Sequence, residues 1–425
     1  MEVLKYPKKE EWATILRRPD QKNVLVEKSV KEILSDVRNN GDKALKKYTR
    51  ALDGVQLDKI KMDDEIINKS KMEVGLSLKN AIDKAAENIE KFHRRQMPED
   101  IEIIVQPGVV CKQKSIPIEK VGIYIPGGTA PLFSSVLMMA IPAEIAGCKQ
   151  VSLFTPPGKS GKIDPAILYA ASISGVSDIY LVGGAQAIAA MAYGTETVPG
   201  MDKIFGPGNQ YVTLAKQLVN ASGVAIDMPA GPSEVMVIAD NSASPGFIAA
   251  DLLSQAEHGS DSQVFLLTTD ESLPQKVNDS LMNYLKSISR RDIAEEALQN
   301  SKIIVLESAE EIMKMSNLYA PEHLIIVTQN PEELADKVVN AGSVFLGGYT
   351  PESLGDYASG TNHVLPTNGS ARAYSGVNVE SFMKKITFQN ATKEGLESIG
   401  NSVMAMAEAE GLDAHKLAIE IRMDK

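Results

Sequence analysis

From Val121 to Leu346 the chain alternates between short apolar runs and stretches with helical spacing. Val121-Gly-Ile-Tyr-Ile125, Val151-Ser-Leu-Phe154, Asp178-Ile-Tyr-Leu-Val182 and Lys203-Ile-Phe205 are predicted strands, with helices over 134–147, 165–174, 185–193 and 209–220. A second series follows: Val235-Met-Val-Ile-Ala239, Gln263-Val-Phe-Leu-Leu267, Lys302-Ile-Ile-Val-Leu306, His323-Leu-Ile-Ile-Val327 and Ser343-Val-Phe-Leu346, again with helices between them. Continuous apolar strands separated by helices imply right-handed βαβ units and parallel sheets covered on both faces. Two α/β sheets in tandem are the expected architecture.

The flanks read differently. Residues 1–20 form an N-terminal arm with the only tryptophan, Trp12. Spacing from Val26 to Leu52 is helical, and Asn40-Gly41 marks a turn between two helices. A further amphipathic helix covers 80–92, and 101–105 with 109–118 predict a hairpin around Pro107-Gly108. The tail from Lys393 to Met423 is mostly helical, broken at Gly411. Its amphipathic part, 396–409, needs a surface to cover, in its own body or in a partner subunit.

Composition narrows the class. A chain of 425 residues, 44% hydrophobic and 23% charged, matches a globular protein of two to three domains. The net charge of −11 argues against a nucleic-acid partner, which needs a basic face. No apolar run is long enough to span a bilayer; the richest, from Val121 to Cys148, is broken by Pro126, Gly127, Gly128, Pro131 and Pro142. The charged N-terminus has no signal-peptide core, and two cysteines, Cys111 and Cys148, without CxxC spacing fit a reducing cytoplasm.

Chemistry concentrates around histidine. The chain has only 5. His258, His323, His363 and His415 sit beside acids, amides and glycines, while His93 beside Arg94 and Arg95 reads as surface. Imidazole is both a common metal ligand and a usual general base. Gln255 and His258 share a face near a predicted helix end. With Asp356 and His415 they would make a donor set suited to a borderline metal such as Zn²⁺; taken alone, the pair is an ordinary polar helix end. Glu322-His323 at a strand's start offers two proton acceptors of different basicity, or a surface acid beside a half-buried histidine. His363 lies in a Gly/Ser/Thr/Asn-rich loop, as a supporting partner or a plain loop residue. Glycine turns follow three strands: Ile125-Pro-Gly-Gly-Thr-Ala-Pro131, Val182-Gly-Gly-Ala-Gln186 and Phe205-Gly-Pro-Gly-Asn209. Their N–H groups suit a dinucleotide's phosphates or simply close turns, and no G-x-G-x-x-G is present.

Over nearly its whole length the chain resembles the histidinol dehydrogenases. The likeness is carried by Tyr124-Ile-Pro-Gly-Gly128, Gly206-Pro-Gly-Asn209, Ala230-Gly-Pro-Ser-Glu234, Leu253-Ser-Gln-Ala-Glu-His-Gly259, Ala320-Pro-Glu-His323, Gly355-Asp-Tyr-Ala-Ser-Gly-Thr-Asn-His363 and Ala409-Glu-Gly-Leu-Asp-Ala-His415. The resemblance implies oxidation of L-histidinol to L-histidine by two NAD⁺ through an enzyme-held aldehyde, with one zinc per subunit. It implies Gln255, His258, Asp356 and His415 as zinc ligands, and Glu322 and His323 as proton acceptors. Tyr124, Gln186 and Asn209 would contact NAD. Ser233, His323 and Glu410 would contact substrate, together with the ligands Gln255, His258, Asp356 and His415.

The implied fold is two incomplete Rossmann-like domains with small helical terminal segments, in an intertwined homodimer whose C-terminal segment reaches the partner's site. On this division 1–20 is an arm, 21–123 with 235–377 forms the metal and catalytic domain, 124–234 the NAD domain, and 378–425 a helical dimerisation segment. The rival expectations are a relative acting on another primary alcohol, a zinc hydrolase without NAD, and a non-catalytic small-molecule binder.

Overall fold

The structure is a computed structural model that describes residues 1–19, 24–127, 130–228 and 231–423. Gly128 and Thr129 of the first glycine turn, and Ala230 of the segment 230–234, lie outside these residues. In chain order the strands are β1 (Glu2–Lys5), β2 (Ile101–Gln106), β3 (Val109–Pro117), β4 (Lys120–Tyr124), β5 (Gln150–Phe154), β6 (Asp178–Tyr180) and β7 (Lys203–Phe205). They continue as β8 (Ala225–Ile226), β9 (Glu234–Ala239), β10 (Gln263–Thr268), β11 (Lys302–Val305), β12 (His323–Val327), β13 (Ser343–Leu346) and β14 (Met383–Ala391).

Two parallel sheets carry the molecule. One has five strands in the order β6-β5-β4-β7-β8, the other six in the order β1-β11-β10-β9-β12-β13. A small antiparallel sheet, β14-β3-β2, completes the fold. In the six-stranded sheet the period of two along each strand is visible in the packing. Val235, Val237, Val264, Leu266, Ile303 and Ile325 face one core, while Met236, Ile238, Phe265, Leu267, Ile304 and Ile326 face the other. The continuous apolar runs follow from this, since helices cover both faces.

The α/β expectation holds, and three strands escaped it. β1 lies in the expected arm and pairs in parallel with β11, its register running from Glu2 opposite Lys302 to Lys5 opposite Val305. β8 is two residues long, too short to show periodicity. β14 alternates polar and apolar residues, is mostly exposed, and pairs with β3 from Met383–Pro117 to Ala391–Val109.

The N-terminal helices cover the layers around the five-stranded sheet. Helix Val24–Tyr48 packs on helices Gly184–Tyr193 and Gln210–Ala221, and helix Leu76–Arg94 on helix Phe133–Ala146. The helices between residues 24 and 94 therefore pack with the elements of the five-stranded sheet. An amphipathic stripe shows that a helix is covered, not by which sheet. The turn expected at Asn40-Gly41 is present: Gly41 takes the non-helical φ 49° and separates two helical stretches within Val24–Tyr48. His93 is buried, not surface: Nδ1 donates to the Ile89 carbonyl at 2.8 Å, and Asn362 donates to Nε2 at 3.3 Å.

Candidate active site

A cavity of about 840 Å³ opens between the two sheets. From the five-stranded sheet it takes the C-terminal ends of β4 and β7, with Pro126 and Gly206 to Asn209 on its wall. From the six-stranded sheet it takes the opposite edge, where β9 and β12 begin, with Ser233, Glu322 and His323. Gln255, His258, Asp356 and His363 close this side.

Gln255 ends helix Pro245–Ala256 and is 1% exposed, yet its Oε1 has no hydrogen-bond partner. Two residues past the helix, His258 stands at the open wall of the cavity, where desolvation by the surrounding protein outweighs the nearby Asp356 charge and lowers its pKa. Asp356 closes the short helix Glu352–Tyr357. Burial would raise its carboxyl, but His323, His363 and His258 outweigh that and hold it below its ordinary value. His363 fixes the Asp356 backbone. Its Nδ1 donates to the Asp356 carbonyl at 2.7 Å, which leaves Nε2 to accept from Ser135 Oγ at 2.9 Å.

Glu322 and His323 sit under this group. Glu322 Oε2 accepts from the Glu234 N–H at 2.9 Å, and burial raises its pKa. His323 Nδ1 lies 3.2 Å from the Glu234 carbonyl, 3.0 Å from Gln255 Nε2 and 3.6 Å from Glu322 Oε2. The carbonyl needs a proton on Nδ1 and the amide nitrogen needs a bare one, so the two contacts demand opposite tautomers. With Nδ1–H given to Glu234, the basic nitrogen is Nε2, which lies 3.5 Å from Asp356 Oδ1 and has no hydrogen-bond partner. Burial lowers the affinity of His323 for a proton, but Glu322 and Asp356 outweigh it and raise its pKa well above the ordinary value.

Other expected residues are placed elsewhere. His415 and Glu410 are exposed at the C-terminal helices Lys393–Ala409 and Asp413–Met423, and neither lines the cavity. Tyr124 and Gln186 are buried beneath the wall: Tyr124 accepts the Gly184 N–H at 3.1 Å, and Gln186 Oε1 is unpaired. Asn209 is on the wall, and its Oδ1 caps helix Gln210–Ala221 by accepting from Tyr211 N at 3.0 Å and Val212 N at 3.2 Å. Cys148 is raised to about 12 by burial, as an inert thiol would be.

Sequence reasoning missed a supporting layer. Arg18, from the N-terminal segment, grips the Glu234 carboxylate with Nε at 2.5 Å and Nη2 at 2.8 Å, and the Asn368 N–H adds a third donor at 2.9 Å. Glu234 thus orders the main chain that serves both Glu322 and His323. Glu352 is buried and raised to about 8 by desolvation, and Ser254 Oγ donates to it at 2.6 Å. That bond ties the helix bearing Gln255 to the helix bearing Asp356. Asp251, raised to about 7 by burial, was detectable as an acid within the apolar run Ala249-Ala250-Asp251-Leu252-Leu253. Arg18 had no such signal.

The histidinol dehydrogenase sequence model matches residues 16–423. The chain belongs to the histidinol dehydrogenase family. It is 55% identical over 424 residues to the histidinol dehydrogenase of Bacteroides thetaiotaomicron, covering 100% of this chain and 99% of that protein. The histidinol dehydrogenase of Vibrio parahaemolyticus is 51% identical, with 98% and 96% covered. The crystal structure of histidinol dehydrogenase from Elizabethkingia anophelis superposes with a TM-score of 0.97 at 54% identity, covering 100% of this chain and 98% of that one. Membership makes the chain an oxidoreductase. Among the described residues no helix is long and apolar enough to cross a membrane.

A histidinol dehydrogenase of this kind implies a zinc ion, and the side chains present fit one. An unpaired amide oxygen, an imidazole whose pKa is lowered and a carboxylate held below its ordinary value line the same cavity. His415, the fourth donor expected from the sequence, lies outside the cavity of its own chain.

Proposed function

We propose that the chain oxidises L-histidinol to L-histidine in two successive NAD-dependent steps, at a zinc site completed by the tail of a second copy. The observation that carries this is the convergence of Gln255, His258 and Asp356 beside the buried pair Glu322–His323. Gln255 Oε1, His258 and Asp356 would hold the cation, with His415 of a second copy as fourth ligand. Zinc, when bound, would orient an amino alcohol and polarise its hydroxyl, and NAD would accept the electrons.

The chain's own groups then have defined tasks. The Glu234 carbonyl keeps the proton on His323 Nδ1, so Nε2 takes the substrate hydroxyl's proton in the first oxidation. Glu322, held by the Glu234 N–H, takes a proton from the water that adds to the aldehyde. After giving up its first proton to solvent, His323 Nε2 accepts the hydroxyl proton of the hydrate in the second oxidation. A cation bound by Asp356 would weaken the carboxylate's pull on His323 and favour the basic form. Ser233 lines the substrate's side of the cavity. Tyr124, Gln186 and Asn209 mark the nucleotide side, at the C-terminal edge of the five-stranded sheet where ligands of open α/β sheets collect.

Apolar side chains support a second copy as partner. Ile103, Ile104 and Phe388 on the antiparallel sheet, and Met406 and Leu417 on the C-terminal helices, are exposed. Those helices also carry Glu410 and His415, which face no site of their own chain. The test is an NADH-forming assay with L-histidinol before chelation, after chelation and after zinc return. Two NADH per histidinol, lost and regained with zinc, is the expected result; zinc-independent turnover or one NADH per substrate refutes it. Other amino alcohols serve as the comparison for substrate class.

A further inference from the structure

The turn after β7 is held by a buried ion pair. Lys216, on helix Gln210–Ala221, and Asp227, just after β8, form a salt bridge with side chains 3% and 2% exposed. Between them they consume both polar groups of one peptide unit's residue, Gly206. Asp227 Oδ2 accepts the Gly206 N–H at 2.8 Å, and Lys216 Nζ donates to the Gly206 carbonyl at 2.8 Å. Asp227 Oδ1 also accepts the Met228 N–H at 2.6 Å. Gly206 takes φ 123°, and a Cβ there would overlap the Tyr124 carbonyl oxygen. At the other end of the turn Asn209 is tied down by its cap bonds to Tyr211 and Val212. Gly208 leaves no room either, since a Cβ would overlap Val212.

A buried ion pair adds little net stability over a well-packed apolar pair of the same volume. What this pair does supply is a fixed place for one residue, at the point where the strand hands over to the cavity wall. Its effect on a ligand differs from that of a phosphate-binding turn. The Gly206 N–H already faces a carboxylate, so it is not free for an anion. The turn offers instead a rigid surface of Pro207, Gly208 and Asn209, pinned at both ends.

We infer that Lys216 and Asp227 are positioning residues for the nucleotide cofactor: they hold the Gly206–Asn209 turn in the shape that receives it. This rests on the placement of NAD at this edge in the proposed function. Asp227 lines the cavity wall, but the hydrogen bonds and ion pair of Lys216 and Asp227 go to each other, Gly206 and Met228 and not to Gln255, His258, Asp356, Glu322 or His323, so their loss is read first in the cofactor. Misplacement of a contact surface by about 1 Å can cost up to roughly a hundredfold in efficiency.

The experiment uses the full-length zinc-loaded protein and its variant Lys216→Met, with Lys216→Arg as the charge-conserving control. The expected result is a KM for NAD raised on the order of tenfold to a hundredfold. Zinc content and KM for histidinol stay at wild-type values, and Lys216→Arg recovers part of the loss. Should Lys216→Met not fold, the double variant Lys216→Met/Asp227→Asn removes both buried charges and is read the same way. An unchanged KM for NAD in a variant with lowered melting temperature overturns the inference, because the pair is then only structural. A joint rise in both KM values with loss of zinc overturns it too. Absence of NAD-dependent turnover in the wild type is a separate failure, seen before any variant is made, and it removes the nucleotide site itself.

Discussion

Replacing Glu352 by Gln should make the protein more stable relative to wild type as the pH rises from 5 to 7. Glu352 is 1% exposed and its pKa is pushed up from 4.5 to about 8, mainly by burial. A carboxyl whose folded pKa is raised contributes stability that is fully present below its unfolded pKa and is lost as pH climbs toward the folded one. Here that window runs from 4.5 to about 8. At about 1.36 kcal/mol per unit, the wild type has lost roughly 1 kcal/mol at pH 5 and roughly 3 kcal/mol at pH 7. Glutamine does not titrate, and its carbonyl oxygen can still accept from Ser254 Oγ. The gap between the two proteins should therefore widen by about 2 kcal/mol between these pH values. Asp251, raised to about 7 by the same burial, titrates in both proteins and largely cancels. The assay is urea unfolding of chelated wild type and Glu352→Gln at several pH values, with the difference in midpoints as readout. Midpoints that stay a constant distance apart from pH 5 to 7 would refute a proton-holding, buried Glu352.

Changing His258 to Asn should lower bound zinc and activity together, checked by elemental analysis after dialysis; full metal content with full activity counts against His258 as a ligand. Glu322→Gln should slow oxidation of the aldehyde more than that of the alcohol, measured by supplying each substrate separately. Equal losses contradict the division of roles between Glu322 and His323. Inactive His415→Asn mixed with inactive His323→Ala should regain partial activity after subunit exchange, and no regain despite proven exchange argues against a site shared between copies. Gly206→Ala forces a side chain against the Tyr124 carbonyl at φ 123° and should cost at least about 1–3 kcal/mol of stability; an unchanged melting temperature would show that the turn relaxes freely.

Most of the parallel strands were legible because their cause is local. A run such as Val235 to Ala239 has nowhere to put an apolar side chain on either face except against helices, so the run itself announces a doubly covered strand. Gly41 was readable for a similar reason: it sits at a turn where the backbone takes a positive φ, 49°. Glu322 and His323 were candidates from their placement at a strand's start, and Gln255 with His258 from their spacing at a helix end.

What no local pattern could show is which distant segments meet. Helix Val24–Tyr48 carries an apolar stripe that fits either sheet, and packing placed it on the five-stranded one. β1 joins β11 across some 300 positions, and Arg18 reaches Glu234 across 216. The same holds for the raised pKa of Glu352 and the lowered pKa of His258, which come from desolvation by residues scattered along the chain. Periodicity is set by the geometry of a few neighbouring residues, so one sequence displays it; burial and long-range contact depend on where the whole chain closes, so only the folded structure decides them.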